Sequence, residues 1–357
     1  MKNLIDWLAC QKLFYAFPPI GHHLLEFYKD PSSLLRGSLA EFCSILGEEE
    51  GKKWFQQIQQ ISFEDCEKEC RTIEALEARI VPITHIDYPP LLLQIPDPPL
   101  VLVAKGKIET WKTRPMIAIV GSRKATAYGK VRALELAREL AQYNVGVVSG
   151  LAYGIDSKAH EGALQGEGCT WGVMATGIET VYPERHVGLA EKMEVQGGIL
   201  TEFPGGVTPW PSHFPQRNRI ISGMSLGTVV VEAAAQSGSL ITARLALEQG
   251  REVFAVPGPV GHLSTQGPHY LIKQGAKLIE GAWDIVAEFP KLQTLREDSS
   301  EDSLQNKILK FVLKTPKSIE QLAFEVGISI ESLLSELTLL ECENKICRIA
   351  GTQFVRK

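Results

Sequence analysis

The chain contains no uninterrupted apolar run of about 18 residues, because Pro, Gly or a charge breaks each one, so no segment is expected to span a bilayer. Its first 17 residues carry Asp6, Gln11 and Lys12 inside their apolar part, a poor secretory signal. Cysteine is scarce and unpaired in pattern. Cys10, Cys43, Cys66, Cys70, Cys169, Cys342 and Cys347 make an odd seven with no Cys-x-x-Cys spacing, which suggests neither a disulfide framework nor a zinc site. Cys66 and Cys70, four apart, can share a helical face as free thiols. A cytoplasmic protein without a metal is the expectation. Gly-x-Gly-x-x-Gly and the Walker motif are both missing, as is any Ser-His-Asp signature, so dinucleotide binding, P-loop chemistry and acyl transfer have no motif to rest on.

Positive charge is also short overall. With 37 Lys and Arg against 42 Asp and Glu the net charge is −5, too acidic for a protein that coats nucleic acid through its whole field. Local distribution reverses this. Thr110 to Leu134 has no acid but carries Lys112, Arg114, Arg123, Lys124, Lys130 and Arg132. Phe203 to Val231 again has no acid and includes His213, Arg217 and Arg219. Acid gathers instead in Glu41 to Glu77 and Glu297 to Asp302, leaving the middle of the chain electropositive.

At 357 residues, 44% hydrophobic and 22% charged, the chain is ordinary for a globular protein and long for one core. Residues 1–78 read as short helices, from stripes such as Leu4, Leu8, Leu13 and Phe14, then Leu24, Leu25, Phe27 and Tyr28, then Trp54, Phe55, Ile58 and Ile61. Ile20-Gly21-His22-His23 looks like half of a helix-hairpin-helix or SAM-like unit, with a packing or partner role favoured over phosphate holding, since the usual second glycine is replaced by His22-His23. Residues 79–113 form a Pro-rich linker packed on the core, ending in the strand-like Leu100 to Val103; its prolines forbid a helix or an interior strand.

From 114 to 290, apolar runs alternate with helical patterns. Strands are expected at 117–120, 145–148, 170–174, 199–201, 228–231, 252–255 and 277–279, which predicts an α/β fold with an extended Rossmann-like doubly wound parallel sheet. Its ligand belongs at the carboxyl ends of the strands. Residues 291–302 are an acidic linker. Residues 303–357 predict a winged-helix domain: Leu304, Ile308, Phe311 and Val312 in a first helix, a capping box at Ser318-Ile319-Glu320-Gln321, a third helix from Ser329 to about Cys342, then two strands. That third helix carries Glu331, Glu336 and Glu341, which would face phosphates, so protein contact is expected of it rather than base reading.

Three glycine-rich turns mark the middle of the chain: Gly121-Ser122-Arg123, Ser149-Gly150-Leu151-Ala152-Tyr153-Gly154, and Gly227-Thr228. Placed at strand ends ahead of helices, they offer backbone N–H groups to anions. Arg123 beside such amides suits a phosphate, the alternative being an ion pair with a carboxylate on the sheet edge. Asp156 reads as an N-cap rather than a catalytic acid, and Tyr153 as a ring able to stack on a base. Phe214-Pro215-Gln216-Arg217-Asn218-Arg219 gathers a ring, an amide and two guanidiniums. On a helix Arg217 and Arg219 cannot point the same way, so one is expected in the site and one in a structural role. Ser237-Gly238-Ser239 adds hydroxyls at a helix start, where a plain cap explains Ser239 equally well.

Taken in order and spacing, these motifs, with Ser237 to Ala243 and the Ile-Pro-Asp-Pro-Pro run at 95–99, resemble the DprA/Smf family of DNA-processing proteins over nearly the whole chain. The resemblance implies a non-enzymatic protein without a cofactor that binds single-stranded DNA, protects incoming or exposed strands and helps load RecA in natural transformation and recombination. It also implies a homodimer, with single-strand-binding protein as a further partner. The DNA-binding residues expected are Gly121, Ser122, Arg123, Ser149, Gly150, Tyr153, Gly154, Phe214, Arg217, Asn218, Arg219 and Ser239; His269, Ile272 and Leu278 are the expected dimer contacts. A rival reading is a nucleotide-processing enzyme resembling the phosphoribohydrolases. Their Pro-Gly-Gly-x-Gly-Thr-x-x-Glu is broken here, since Gly227-Thr228 and Glu232 stand at Gly-Thr-x-x-x-Glu and Pro204-Gly205-Gly206 lies far upstream.

Overall fold

The computed structural model describes residues 2–290, 292, 308–309, 311–312, 317–342, 345–349 and 353–356. These fall into two compact units, 1–288 and 289–357. The acidic linker other than residue 292, and the start of the first winged-helix helix at Leu304, lie outside the described residues.

Six helices open the first unit: α1 (Lys2–Phe14), α2 (Pro18–Tyr28), α3 (Pro31–Leu35), α4 (Leu39–Leu46), α5 (Glu48–Gln59) and α6 (Phe63–Ala75). Side chains start several of them. Asp30 accepts from the Ser33 amide, Ser38 and Glu41 form a reciprocal capping box, and Ser62 accepts from the Asp65 amide. Their apolar stripes meet around Leu8, Phe14, Leu24, Phe42 and Trp54, with Phe14 and Trp54 ring centroids 5.1 Å apart. Gly21 lies inside α2, where an added Cβ would stand 2.4 Å from Leu100 and 2.9 Å from the Phe14 ring. His22 turns its Nε2 to the Pro98 carbonyl at 2.7 Å. The Ile20 to His23 segment therefore packs α2 onto the linker.

The Pro-rich linker does more than end in one strand. β1 (Arg79–Pro82) and β2 (Val101–Gly106) pair antiparallel, and β2 pairs antiparallel with a core strand, extending the sheet. Between them Tyr88 donates to the Pro99 carbonyl at 2.7 Å, which fixes the proline loop against the sheet.

After α7 (Thr110–Thr113), the order is β3 (Met116–Val120), α8 (Ala127–Gln142), β4 (Gly146–Ser149), α9 (Ile155–Gln165), β5 (Thr170–Val173), α10 (Val187–Met193), β6 (Gly198–Thr201), α11 (His213–Gly223), β7 (Gly227–Val230), α12 (Gly238–Glu248), β8 (Glu252–Ala255), α13 (Gln266–Lys273), β9 (Lys277–Leu278) and α14 (Ala282–Val286). All seven strands expected here form. The sheet has nine strands in the order β1-β2-β6-β5-β4-β3-β7-β8-β9, parallel from β6 to β9. Fully buried runs such as Met116–Val120 suit strands covered on both faces. The winding reverses beside β3, whose neighbours are β4 and β7, so the ligand crevice of such a sheet falls at the carboxyl end of β3.

One core lies on each face. Val120, Val148, Trp171, Ile220 and Val230 belong to one, and Val101, Val103, Met174 and Ile199 join the N-terminal helices in the other. The helical segment 1–78 thus shares a core with the sheet.

In the second unit, β10 (Lys317–Ser318), α15 (Ile319–Val326), α16 (Ile330–Cys342), β11 (Ile346–Arg348) and β12 (Gln353–Arg356) form two helices and a three-stranded antiparallel sheet ordered β10-β12-β11. Ser318 and Gln321 make the expected capping box, and Leu322, Leu333, Leu337 and Phe354 fill its core.

Helices α8 and α9 cross at Gly162, where an added Cβ would lie 2.1 Å from the Leu134 carbonyl oxygen, a backbone atom that cannot step aside. Gly162→Ala is expected to destabilise the protein by about 1–3 kcal/mol through overpacking. A thermal melt unchanged from wild type would contradict this crossing geometry.

Candidate nucleic-acid interface

At the reversal of the sheet lies a cleft of about 850 Å³, lined on one side by Gly121 to Lys124 and on the other by α11 and the start of α12. Gly121, Ser122, Arg123, Phe214, Arg217, Asn218 and Ser239, from three separate motifs, come together in its wall.

The turn after β3 is held from below by β7. The Ser122 amide donates to the Glu232 carbonyl at 2.7 Å, and the Glu232 carboxylate accepts from the Thr126 amide at 2.8 Å and its hydroxyl at 2.6 Å. Glu232 thereby fixes the entry to α8, where Thr126 caps the helix through the Gly129 amide. This is the acid the phosphoribohydrolase comparison singled out, and both its oxygens have partners. Arg123 and Lys124 above it are exposed. Arg123 has no carboxylate within ion-pair distance among the described residues; its guanidinium lies 4.6 Å from the centroid of the Phe214 ring, a cation–π contact.

The second turn supports the first. Gly154, at φ +84°, packs so closely that a Cβ would meet the Ser122 carbonyl oxygen at 2.2 Å, and the Ile155 amide donates to that oxygen at 3.3 Å. Ser149 is fully buried and donates to the Ile119 carbonyl at 2.6 Å. Ser149, Gly150 and Gly154 therefore shape the cleft from behind without lining it. Tyr153 also lies off the wall, 44% exposed, with its ring 5.0 Å from that of His186. Asp156 is not the N-cap: that position belongs to Gly154, with no side-chain cap, and Asp156 sits in the first turn of α9 with its carboxylate accepting from the Gly150 amide at 3.1 Å. It lines the cleft. Burial pushes its carboxyl up, against the pull of Arg217, of the Ala152 and Gly150 amides and of Arg123.

Gly227-Thr228 is a correction. Both residues lie at the amino end of β7, away from the cleft, where the absence of a side chain on Gly227 lets the Phe254 ring approach within 2.6 Å of a would-be Cβ. The residues that β7 delivers to the cleft side come after it, at Glu232 to Ala234.

Helix α11 divides its arginines. Arg217 is buried and donates from Nη1 to the Gly150 carbonyl at 2.8 Å and to the Val173 carbonyl, bridging the ends of β4 and β5. Burial pulls its guanidinium down to about 10, which leaves it charged at neutral pH. Arg219 is buried on the other side of the helix and does not reach the cleft. It pairs with Glu202 at 2.5 Å and Asp97 at 3.0 Å, and burial pushes the Glu202 carboxyl up while Arg219 pulls it back. At α12 the cap is Ser237, which accepts from the Ser239 amide at 3.4 Å and shares a 2.8 Å hydroxyl contact with Ser239.

Sequence reasoning missed Tyr182, whose ring stands 5.9 Å from Phe214 at the cleft mouth, as well as the lining by Pro209, Pro211 and Thr242. Tyr182 belongs to the long connection after β5 and carries no local signal. Of the expected dimer contacts, His269 bonds the Gly258 carbonyl at 3.0 Å and Ile272 packs partly on the core, while Leu278 on the edge strand β9 is 44% exposed.

A doubly wound sheet with exposed guanidinium, ammonium, amide and hydroxyl donors at its reversal defines a Rossmann-like protein whose crevice suits phosphate-bearing ligands. The model of the family described as DNA recombination-mediator protein A matches residues 79–290. Protein Smf of Escherichia coli is 38% identical, with 78% of each chain covered. DNA processing protein DprA of Bacillus subtilis is 46% identical over 59% of this chain and 71% of its own. The X-ray structure of DprA from Streptococcus pneumoniae superposes with a TM-score of 0.71 at 33% identity, covering 80% of this chain and 98% of that one. A Helicobacter pylori DprA structure, described by its single-stranded DNA binding mode, gives 0.54 at 27% identity, covering 62% and 97%. The chain belongs to the DprA/Smf family.

Removing Arg219 leaves Glu202 buried without its cation, so Arg219→Ala is expected to destabilise by about 3–5 kcal/mol. Arg123→Ala, at an exposed site, is expected to stay within about 0.5 kcal/mol of wild type. Denaturant unfolding of the two variants side by side checks the division of roles, and similar losses would contradict it.

Proposed function

We propose that this protein is a single-stranded DNA-binding recombination mediator whose strand lies in the cleft between the Gly121 to Lys124 turn and helix α11. The observation that carries the reading is Arg123: an exposed guanidinium with no carboxylate partner among the described residues, lying on Phe214 in a cleft that Ser122 and Ser239 also line. Phosphates meet Arg123, Lys124 and the hydroxyls of Ser122 and Ser239; a base meets Phe214; Asn218 offers an amide to a base edge. Arg217 contributes charge from behind, and Ser149, Gly150 and Gly154 set the backbone shape. The Helicobacter pylori relative, described as binding single-stranded DNA, supports this ligand.

On the same reading the protein acts in the cytoplasm as a homodimer, shields incoming or exposed strands and helps load RecA onto them in the presence of single-strand-binding protein. Family membership supports these partners. Leu278, exposed on the edge strand β9, supports a contact between copies there, which would also involve His269 and Ile272. Among the described residues no helix is long and apolar enough to cross a membrane. Glu232, with both oxygens bound to Thr126, supports a binding cleft over a hydrolytic one.

Binding of oligo-dT and of a matched duplex, each at two salt concentrations, tests the proposal. The single strand is expected to bind more tightly and to weaken with salt. Arg123→Ala is expected to lose about five- to tenfold in affinity and to reduce the salt slope by about one. Equal affinity and slope for the variant would rule the cleft out.

A further inference from the structure

The six tryptophans have unlike fates. Trp7 is buried in the N-terminal core; Trp54, Trp111 and Trp171 are buried and donate their indole N–H groups to Glu50, Asp87 and Thr110; Trp283 lies against Tyr143. Trp210 is 65% exposed and has no ring or hydrogen-bond partner for its side chain among the described residues. It stands in Pro209-Trp210-Pro211, whose two prolines line the cleft, and its carbonyl accepts from the His213 amide at 3.0 Å where α11 begins. Two fixed proline φ angles and that hydrogen bond hold the turn in place, so ordering the ring on a ligand loses little conformational freedom.

The cleft that these two prolines line is also walled by aromatic rings. Arg123 lies on Phe214, Phe214 lies 5.9 Å from Tyr182, and Tyr182 is itself 45% exposed at the mouth. We propose that Trp210 stacks on a nucleobase of the bound strand beyond the nucleotide held at Phe214, so that the site extends over the turn at 205–212. The proposal rests on the single-strand reading above. A large flat ring accepts any base, so it adds affinity without sequence preference, and a duplex, whose bases are already stacked on one another, gains nothing from it.

The test compares a roughly 12-nucleotide oligo-dT with an abasic strand of equal length and phosphate count, using wild type, Trp210→Ala, Trp210→Phe and Arg123→Ala, each first shown to melt as wild type does. Trp210→Ala is expected to weaken oligo-dT binding about tenfold, Trp210→Phe to retain most of the affinity, and Trp210→Ala to match wild type on the abasic strand. Oligo-dT should quench tryptophan emission in wild type more than in Trp210→Phe. If Trp210→Ala binds oligo-dT as wild type does while Arg123→Ala is weakened, the strand is in the cleft and the stacking proposal is wrong. Equal loss on both strands also overturns it, because the ring would then act through something other than a base. No binding of oligo-dT by wild type defeats the single-strand reading itself, and the stacking proposal with it.

Discussion

The cleft depends on one buried cation. Arg217 donates to the carbonyls of Gly150 and Val173, which terminate neighbouring strands, and so ties helix α11 to the edge of the sheet where parallel strands leave their last carbonyls. A carboxylate there would meet those oxygens with repulsion and an alkyl chain would leave them without donors, each at about 1–3 kcal/mol. A guanidinium satisfies them and keeps its charge. At 100° per residue Arg219 then points some 200° away, into the Glu202 and Asp97 pair on the far side of the helix. The same geometry directs Gln216 toward the N-terminal helices, where it donates to the Tyr15 carbonyl at 2.6 Å. One short helix thus joins cleft, sheet, linker and helical segment.

The opposite wall is held by close backbone contact rather than by charge. Gly121 and Gly154 let two turns interlock at distances no Cβ would permit, and Glu232, just beyond β7, fastens the start of α8 through Thr126. With backbone and carboxylate bound to each other below, the side chains of Arg123 and Lys124 are left pointing at solvent. Exposed cations on a wall tied in this way suit a phosphate backbone of variable sequence, since attraction to phosphates does not depend on the bases.

Much of this could be read in the sequence because the parallel strands are short, mostly apolar runs, such as Met116–Val120, separated by helical patterns. The strands β1 and β2 were harder, since prolines lie around them and only pairing with β2, itself held by β6, makes 79–82 a strand. That one arginine of α11 is structural followed from helical periodicity; which one depended on where Glu202 lies, a contact across 17 residues of chain. Gly227-Thr228 was misplaced because a glycine before an apolar run looks the same whether it ends one strand or begins the next. Asp156 looked like a cap because the true N-cap, Gly154, has no side chain to announce itself. Tyr182 and Pro209 come to the cleft from long connections, where no periodicity reports position.

The distribution of charge sharpens the argument about which nucleic acid fits. With a net charge of −5 the protein as a whole repels a polyanion, and the exposed cations Arg123 and Lys124 occupy a single turn rather than a broad face. A duplex carries about one charge per 1.7 Å of axis and offers its bases already stacked, so a narrow basic turn neutralises few of its phosphates and an aromatic ring gains no partner. A single strand bends its phosphates toward the turn and turns its bases out toward Phe214. On the proposed function, preference for the single strand would come from aromatic surface and from the narrowness of the basic region, with electrostatics supplying only part of the affinity. The acidity of the rest of the chain reinforces that selectivity, because it penalises each additional phosphate that a bulkier nucleic acid brings near the surface.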